Sequence, residues 1–291
     1  MSSPTSHFIT AQDGLKLHVR AYGSRSAPTL PVMCLPGLAR TSADFDALAG
    51  ALAGDAAHPR YVLAMDYRGR GLSDYDRDPG NYNLLVELAD VLAVLTALGI
   101  GRAIFIGTSR GGILAMLLGS ARPAAIAGVV LNDIGPVIET RGLVRIKSYL
   151  GRLPQPKNFE EGAEFLRRLF GTHFTALTPQ EWQEFARRTF REKDGRIVPN
   201  YDPRLARALQ DVDLERAVPP LWKEFDSLGR MPLMVIRGVN SDLLTTATVE
   251  AMRARRQQCY AIVVPDQGHA PLLTDAETIG RVSEFVAGCD S

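Results

Sequence analysis

The sequence predicts an α/β protein in which helices flank a mostly parallel central β-sheet. Short apolar or β-branched segments alternate with longer helical patterns, which is typical of parallel strands joined by helical crossovers. The two opening segments, 7–11 and 15–22, are separated by Gln-Asp-Gly, which favours a hairpin turn. Between 135 and 230 the strand pattern disappears, and short amphipathic helices interrupted by prolines replace it. These observations predict a helical cap inserted after the sixth strand.

The predicted elements follow in a regular order outside the cap. After the hairpin we expect strands at 30–35, 61–65, 103–106 and 126–132, with helices between them at 41–53, 84–98 and 111–120. After the cap, strands at 233–236 and 261–264 are each followed by a helix, at 246–256 and 278–286. The chain is therefore divided into a first core part at 1–135, a cap at 136–230 and a second core part at 231–291. A cap in this position should lie over the strand ends, where such sheets bind ligands.

Composition and charge favour a small molecule as the partner. The chain has 46% hydrophobic and 22% charged residues, and its 33 basic and 32 acidic residues give a net charge of +1. Such a balance creates no strong field toward nucleic acid or an anionic membrane. We therefore expect a small-molecule substrate and no nucleic-acid partner.

Cysteine usage and the N-terminal segment predict a cytoplasmic protein. Cys34, Cys259 and Cys289 are odd in number and lack metal-binding spacing, which argues against a disulfide framework. Residues 1–12 lack the pattern of a signal peptide. No apolar run approaches the roughly 18 residues of a membrane span.

The segment 103–112 carries the strongest functional signal. It reads Ala-Ile-Phe-Ile-Gly-Thr-Ser-Arg-Gly-Gly, so 107–111 match G-x-S-x-G between an apolar strand and a helix. A sharp strand-to-helix turn lifts the serine hydroxyl above the sheet, and side chains at 107 and 111 would collide with that turn. The N-terminus of the following helix helps to hold developing negative charge. The pattern predicts Ser109 as a nucleophile.

A serine hydroxyl is a weak nucleophile until a base removes its proton, and His269 is the best candidate for that base. It follows the last predicted strand in Val-Pro-Asp-Gln-Gly-His, on the same rim of the sheet as Ser109. Gly268 allows this loop to bend close to the serine. The order of serine before histidine, far apart in sequence, matches the hydrolase pattern. The other histidines are interpreted as surface or packing residues: His7, His18, His58 and His173.

These residues resemble the α/β-hydrolase fold superfamily, and the likeness extends from the N-terminal hairpin to the last helix. The segment Leu-Pro-Gly-Leu at 35–38 stands where the family usually has His-Gly before its oxyanion loop. Residues 66–74 are similar to the family's Asp-x-Arg-Gly-x-Gly-x-Ser loop. The resemblance implies an oxyanion hole made by the backbone N–H groups of Leu38 and Arg110. Pro36 in place of histidine should alter the support of the loop more than catalysis, because the donors are main-chain groups.

The acid that orients the histidine departs from the usual family pattern. In most relatives it lies three residues beyond the glycine that ends the strand after the cap, and that position is Ser241 here. Two carboxylates are candidates instead. Asp133 ends the preceding apolar strand, where some members of the superfamily place their acid, and Asp242 comes one residue after the usual position. We favour Asp133 over Asp242, because Asp242 would point in a different direction unless the loop compensates.

Together these features predict a cofactor-independent serine hydrolase that cleaves a small carboxylic ester, lactone or related acyl compound through an acyl-enzyme. The resemblance would imply a haloalkane dehalogenase or an epoxide hydrolase if position 109 were aspartate, so serine at this position argues against both. The sequence has no dinucleotide-binding, P-loop or metal-binding motif, so we expect no cofactor and no metal. The alternatives are a carbon–carbon bond hydrolase or cofactor-free oxygenase on the same fold, or a non-catalytic ligand-binding protein.

Two features of the sequence bear on the substrate. Arg40 and Arg110 lie beside the predicted oxyanion loop and nucleophile, which hints at an acidic or strongly polar substrate, although a structural role for both is as good an interpretation. Most of the cap aromatics should form its own core, with a few lining the pocket: Phe165, Phe170, Phe174, Trp182, Phe185, Phe190, Trp222 and Phe225.

Overall fold

An eight-stranded, mostly parallel β-sheet forms the centre of the molecule, as predicted. The computed structural model describes residues 3–210 and 218–290; residues 1–2 of the N-terminal segment, 211–217 of the predicted cap and 291 lie outside the described residues. The strands of the central sheet and of a separate hairpin are β1 Thr5–Thr10, β2 Lys16–Tyr22, β3 Val32–Leu35, β4 Val62–Met65, β5 Ala103–Thr108, β6 Ile126–Asn132, β7 Phe190–Lys193, β8 Arg196–Pro199, β9 Leu233–Gly238 and β10 Cys259–Val264.

The order of the strands across the sheet is β1-β2-β4-β3-β5-β6-β9-β10. β1 pairs antiparallel with β2, and β2 antiparallel with β4, whereas every neighbouring pair from β4 to β10 is parallel. The carboxyl ends of the parallel strands therefore meet at one edge. The loops that follow β3, β5, β6, β9 and β10 carry Leu38, Ser109, Asp133, Ser241 and His269 to that edge.

Helices cover both faces of the sheet. The helices are α1 Asp46–Gly54, α2 Leu84–Ala97, α3 Arg110–Ala121, α4 Thr140–Tyr149, α5 Phe159–Phe170, α6 Pro179–Thr189, α7 Trp222–Ser227, α8 Thr246–Arg255 and α9 Ala276–Gly288. α2, α3 and α8 pack on one face through side chains such as Val91, Leu114 and Met252. α1 and α9 pack on the other face, where Leu48 and Val282 are completely buried. None of the described helices is long and apolar enough to cross a membrane.

The insert between β6 and β9 is mainly helical and has its own apolar core. Leu166, Phe174, Trp182, Phe185 and Phe190 pack together within it. Two aromatics from the predicted cap set belong elsewhere, since Trp222 and Phe225 pack against the core of the main sheet.

The absence of strands in the insert was a wrong prediction, because β7 and β8 form an antiparallel hairpin there. Asp194 and Gly195 make its two-residue turn, with φ of 51° and 70°. A turn with positive φ at both central residues matches the twist of a hairpin, and Asp-Gly is a favoured sequence for it. Both strands have only four residues; Phe-Arg-Glu-Lys is largely charged and Arg-Ile-Val-Pro contains a proline, so neither shows the apolar alternation that identifies strands. The Asp-Gly pair was the available signal.

Candidate active site

Ser109 lies at a sharp turn between β5 and α3, with φ of 51° and ψ of −113°. Its neighbours explain the two flanking glycines. A Cβ at Gly107 would lie 2.5 Å from the backbone of Gly111, and a Cβ at Gly111 would lie 2.0 Å from the Leu35 carbonyl oxygen. Only glycine permits these approaches, so the G-x-S-x-G pattern here has a direct steric cause.

The structure brings Ser109, His269 and Asp133 into one hydrogen-bonded chain. His269 Nε2 lies 2.8 Å from Ser109 Oγ, and His269 Nδ1 lies 2.8 Å from Asp133 Oδ2. Asp133 is completely buried, and the His269 side chain is only 6% exposed. With a proton on Nδ1, the imidazole donates to the carboxylate and leaves Nε2 free to accept the serine proton.

Asp133 is held by donors from the end of β9 and from the loop after it. The Gly238 amide donates to Oδ1 at 2.8 Å, and the Ser241 hydroxyl donates to Oδ2 at 2.5 Å. Together with His269, these donors satisfy a buried charge that would otherwise be costly to desolvate. Ser241 occupies the usual acid position of the family, so the position that lacks the acid supports the acid on the neighbouring strand. We had not predicted this role for Ser241.

Asp242 makes no hydrogen bond to His269. Its carboxylate instead accepts two hydrogen bonds from Arg145 of α4, at 2.6 and 2.8 Å. Burial raises the pKa of Asp242, but the Arg145 guanidinium outweighs that effect and holds the pKa below its ordinary value. The pair therefore joins the loop after β9 to the insert, and of the two candidate acids only Asp133 contacts the histidine.

Two observations bear on the oxyanion hole predicted from the amides of Leu38 and Arg110. Leu38 and Ser109 line the same cavity, and Arg110 directly follows Ser109 at the first turn of α3. Within the described residues, neither amide donates a hydrogen bond. A helix leaves its first N–H groups without intrahelical partners, which makes the Arg110 amide available to an anion.

A buried ion network joins the backbone of Leu38 to the side chain of Arg110. Arg110 Nε lies 2.5 Å from Glu87 Oε2, Arg70 Nη1 lies 2.8 Å from Glu87 Oε1, and Arg70 Nε donates to the Leu38 carbonyl at 2.8 Å. Glu87 and Arg70 are fully buried. Burial raises the pKa of Glu87, but the two guanidinium groups outweigh it, so that the pKa is lowered and the carboxylate stays ionised. Sequence reasoning missed Glu87, because a glutamate on a helix gives no signal of burial.

The cavity beside Ser109 encloses about 120 Å³ and extends between the strand-end loops and the insert. Ser109 and His269 line it from the strand-end loops, and Phe170, Phe174 and Phe185 of the insert supply apolar lining. Three of the predicted cap aromatics therefore line the cavity, in agreement with the expectation for a few of them.

The structure gives Arg110 a structural role, which was one of the two interpretations of this residue, and places Arg40 at the cavity. The Arg110 side chain is directed into the ion network with Glu87 and does not line the cavity. Arg40 lines it, but its guanidinium is paired with Asp44. Arg188 of α6 also lines the cavity, and sequence reasoning missed it because the insert contains many arginines on exposed helix faces.

A second serine, histidine and aspartate lie together at the first hairpin. His18 Nδ1 is 2.7 Å from Asp66 Oδ2, and His18 Nε2 is 2.9 Å from Ser6 Oγ. Ser6 lies within the edge strand β1, so no strand-to-helix turn or helix N-terminus accompanies its hydroxyl. His18 is fully buried and braces β2 against the loop after β4, in agreement with a packing role. In the described parts of the chain, no group of three or more His, Cys, Asp or Glu side chains could hold a metal ion.

Comparisons with known proteins agree with this fold. The model of the alpha/beta hydrolase family matches residues 32–281. The 3-hydroxybutyrate-oligomer hydrolase of Cupriavidus necator is 32% identical over 99% of both chains, and the 2-(acetamidomethylene)succinate hydrolase of Mesorhizobium japonicum is 23% identical over 96% of both. The crystal structure of an alpha/beta hydrolase from Novosphingobium aromaticivorans superposes with a TM-score of 0.88, at 38% identity over 99% of both chains. The chain belongs to the alpha/beta hydrolase family and is a hydrolase.

Proposed function

We propose that the protein hydrolyses a small carboxylic ester through an acyl-enzyme on Ser109. The observation that carries the proposal is the continuous hydrogen-bonded chain from Ser109 Oγ through His269 to Asp133. An activated serine of this kind has no use in a pure ligand-binding protein, which favours catalysis. The ester as the bond cleaved is supported by the full-length similarity to a 3-hydroxybutyrate-oligomer hydrolase.

In the proposed reaction, His269 Nε2 accepts the proton of Ser109 as the serine oxygen attacks the ester carbonyl carbon. The carbonyl oxygen becomes an oxyanion and accepts hydrogen bonds from the amides of Leu38 and Arg110. The tetrahedral intermediate then collapses, and His269 gives its proton to the departing alcohol. Water attacks the acyl-enzyme by the same steps, with His269 as base, and releases the carboxylic acid and the free serine.

Asp133 has the orienting role in this scheme. It accepts the Nδ1 proton of His269, fixes the tautomer and stabilises the imidazolium formed during each half-reaction. The residues of the insert, 136–230, act as a cap that excludes water and selects the substrate, because α5 and α6 supply the apolar wall of the cavity.

A fluorophosphonate probe and a p-nitrophenyl acetate assay test the proposal together. The probe should label the native protein but not Ser109→Ala, and p-nitrophenol release should fall to background in that variant. His269→Ala should lose about 10³-fold or more in kcat, since the serine loses its base.

Ser6→Ala is the matched control, because Ser6 has its own histidine and aspartate but no helix N-terminus at its hydroxyl. This variant should keep full labelling and turnover. Labelling that persists in Ser109→Ala and disappears in Ser6→Ala would contradict the assignment. Failure of the native protein to release p-nitrophenol from any simple ester would contradict the ester hydrolase proposal itself.

A further inference from the structure

Among the described residues, three charged side chains besides His269 line the cavity at Ser109: Arg40, Asp44 and Arg188. Arg40 uses Nε and Nη2 to donate to both oxygens of Asp44, at 2.7 and 2.5 Å. Arg40 Nη1 also donates to the Thr189 hydroxyl at 2.7 Å, and its guanidinium lies 4.7 Å from the centre of the Phe185 ring. Asp44 is therefore fully engaged by Arg40, and the two charges compensate each other.

Arg188 forms only a longer ion pair with Asp44 among the described residues. Its Nε lies 3.9 Å from Asp44 Oδ1, beyond hydrogen-bonding distance, and among the described residues it donates no hydrogen bond. Glu184, one turn earlier on α6, is exposed, accepts a hydrogen bond from Gln180 and forms no ion pair with Arg188 among the described residues. The Arg188 side chain is nevertheless only 17% exposed. The described lining of this largely apolar cavity therefore carries two guanidinium groups and one carboxylate, so one positive charge is in excess.

We propose that Arg188, beside Arg40, binds a carboxylate group of the substrate, so that the enzyme prefers esters that carry a free carboxylate. This inference rests on the ester hydrolysis proposed above. A guanidinium presents its donors as a planar fork that matches a carboxylate, and such charge-assisted pairs are strong where water is excluded. Burial lowers the pKa of the Arg188 guanidinium, and the nearby Asp44 carboxylate opposes this effect without cancelling it. A bound carboxylate would further stabilise the charged form of the guanidinium.

A charge of this kind determines specificity more strongly than the apolar wall does. An apolar pocket distinguishes substrates that differ by one methylene only weakly. A pocket with a buried polar group rejects a substrate that lacks the matching group much more strongly, because the buried group is then left unpaired. We therefore expect the free carboxylate, and not the chain length alone, to decide which short esters are good substrates.

Two pairs of esters test the proposal, each with an anionic and a neutral member. The first pair is the linear dimer of 3-hydroxybutyrate and the methyl ester of that dimer. In the dimer, the free carboxylate lies on the alcohol side of the ester bond that is cleaved. The second pair is the p-nitrophenyl monoester of glutarate and p-nitrophenyl hexanoate. In the glutarate monoester, the free carboxylate lies on the acyl side. In at least one pair, the native enzyme should show a kcat/KM about tenfold or more higher for the anionic member.

Arg188→Gln should lower kcat/KM for the preferred anionic ester about tenfold more than for its neutral partner. Arg188→Lys keeps the charge but loses the planar fork, so it should retain part of the preference. The matched control is Arg187→Gln on the same helix; Arg187 is exposed and lies 5.2 Å over the Phe159 ring, outside the cavity lining. This control should keep the preference of the native enzyme.

The outcomes separate this inference from the function on which it rests. If the native enzyme hydrolyses the neutral esters as well as the anionic ones, or if Arg188→Gln and Arg188→Lys keep the full preference, the carboxylate site is wrong while ester hydrolysis stands. If no ester of either pair is hydrolysed, the proposed function fails. Loss of the preference in Arg187→Gln would show that general surface charge, and not Arg188, is responsible.

Discussion

Ser241 Oγ donates a hydrogen bond to Asp133 Oδ2 at 2.5 Å, on the same oxygen that faces His269 Nδ1 at 2.8 Å. The two residues follow neighbouring parallel strands, β9 and β6, whose carboxyl ends lie side by side. Ser241 therefore helps to hold the carboxylate in the direction that the histidine requires. Its hydroxyl also accepts the Leu244 amide at 3.1 Å, which orders the loop after β9.

We expect Ser241→Ala to reduce kcat about tenfold and to change KM little, because a charge-assisted hydrogen bond to the Asp133 carboxylate is lost while the cavity is untouched. Steady-state kinetics on p-nitrophenyl acetate would measure this. Ser283→Ala on α9, which removes a hydroxyl bonded only to the Ile279 carbonyl, is the control and should leave kcat unchanged. An equal effect of the two substitutions would argue against a positioning role for Ser241.

We expect Asp133→Asn to leave the protein folded and to lower kcat on the order of 10⁴-fold. The amide oxygen keeps the hydrogen bond from the Gly238 N–H, so the NH2 group faces His269 Nδ1 and favours the wrong tautomer. Asp242→Asn should cost far less, because it weakens the pair with Arg145 and leaves His269 with its acid. Circular dichroism and kcat for both variants check this. A larger loss of kcat in Asp242→Asn than in Asp133→Asn would reverse the assignment of the acid.

Glu87→Gln should lower both stability and kcat. A neutral amide cannot compensate Arg70 and Arg110, and breaking a buried ion pair in this way costs about 3–5 kcal/mol. The Leu38 carbonyl should then lose its fixed anchor at Arg70. Because loss of one oxyanion donor costs about 10²–10³-fold, even partial displacement should lower kcat about tenfold or more.

Asp90→Asn is the control for that substitution. Asp90 lies on the same helix, is buried, and pairs with Arg68 rather than with the network at the oxyanion loop. It should lower the free energy of unfolding in urea while kcat stays close to that of the native enzyme. Equal losses of kcat in the two variants would mean that Glu87 acts through general stability alone.

The insert at 136–230 should exchange amide hydrogens faster than the core helices, because a cap over a cavity opens more readily than a helix packed on the sheet. α5 and α3 form a suitable comparison, since each has 12 residues. Hydrogen exchange measured by mass spectrometry should find α5 less protected than α3. Equal protection of the two helices would count against a mobile cap.

The sequence by itself determined the fold, pointed to Ser109 and His269, and favoured Asp133 over Asp242 as the acid. Alternation of strands and helices is local information, and it predicted the sheet and most of the helices to within a few residues. The glycines around Ser109 are equally local, because the turn leaves no room for a side chain at 107 or 111. His269 followed from its place after the last strand, since the carboxyl ends of parallel strands meet at one edge.

Only the tertiary structure decided which side chains face one another. Asp133 and Asp242 both follow strands at the correct edge, and their directions depend on the backbone between Gly238 and Asp242 and on Arg145, nearly a hundred residues away in sequence. Glu87 and Arg188 lie on helices of ordinary composition, so nothing local separates them from exposed glutamates and arginines. The burial of a charged side chain and the identity of its ion-pair partner depend on packing between distant segments, so a pattern of neighbouring residues does not predict them.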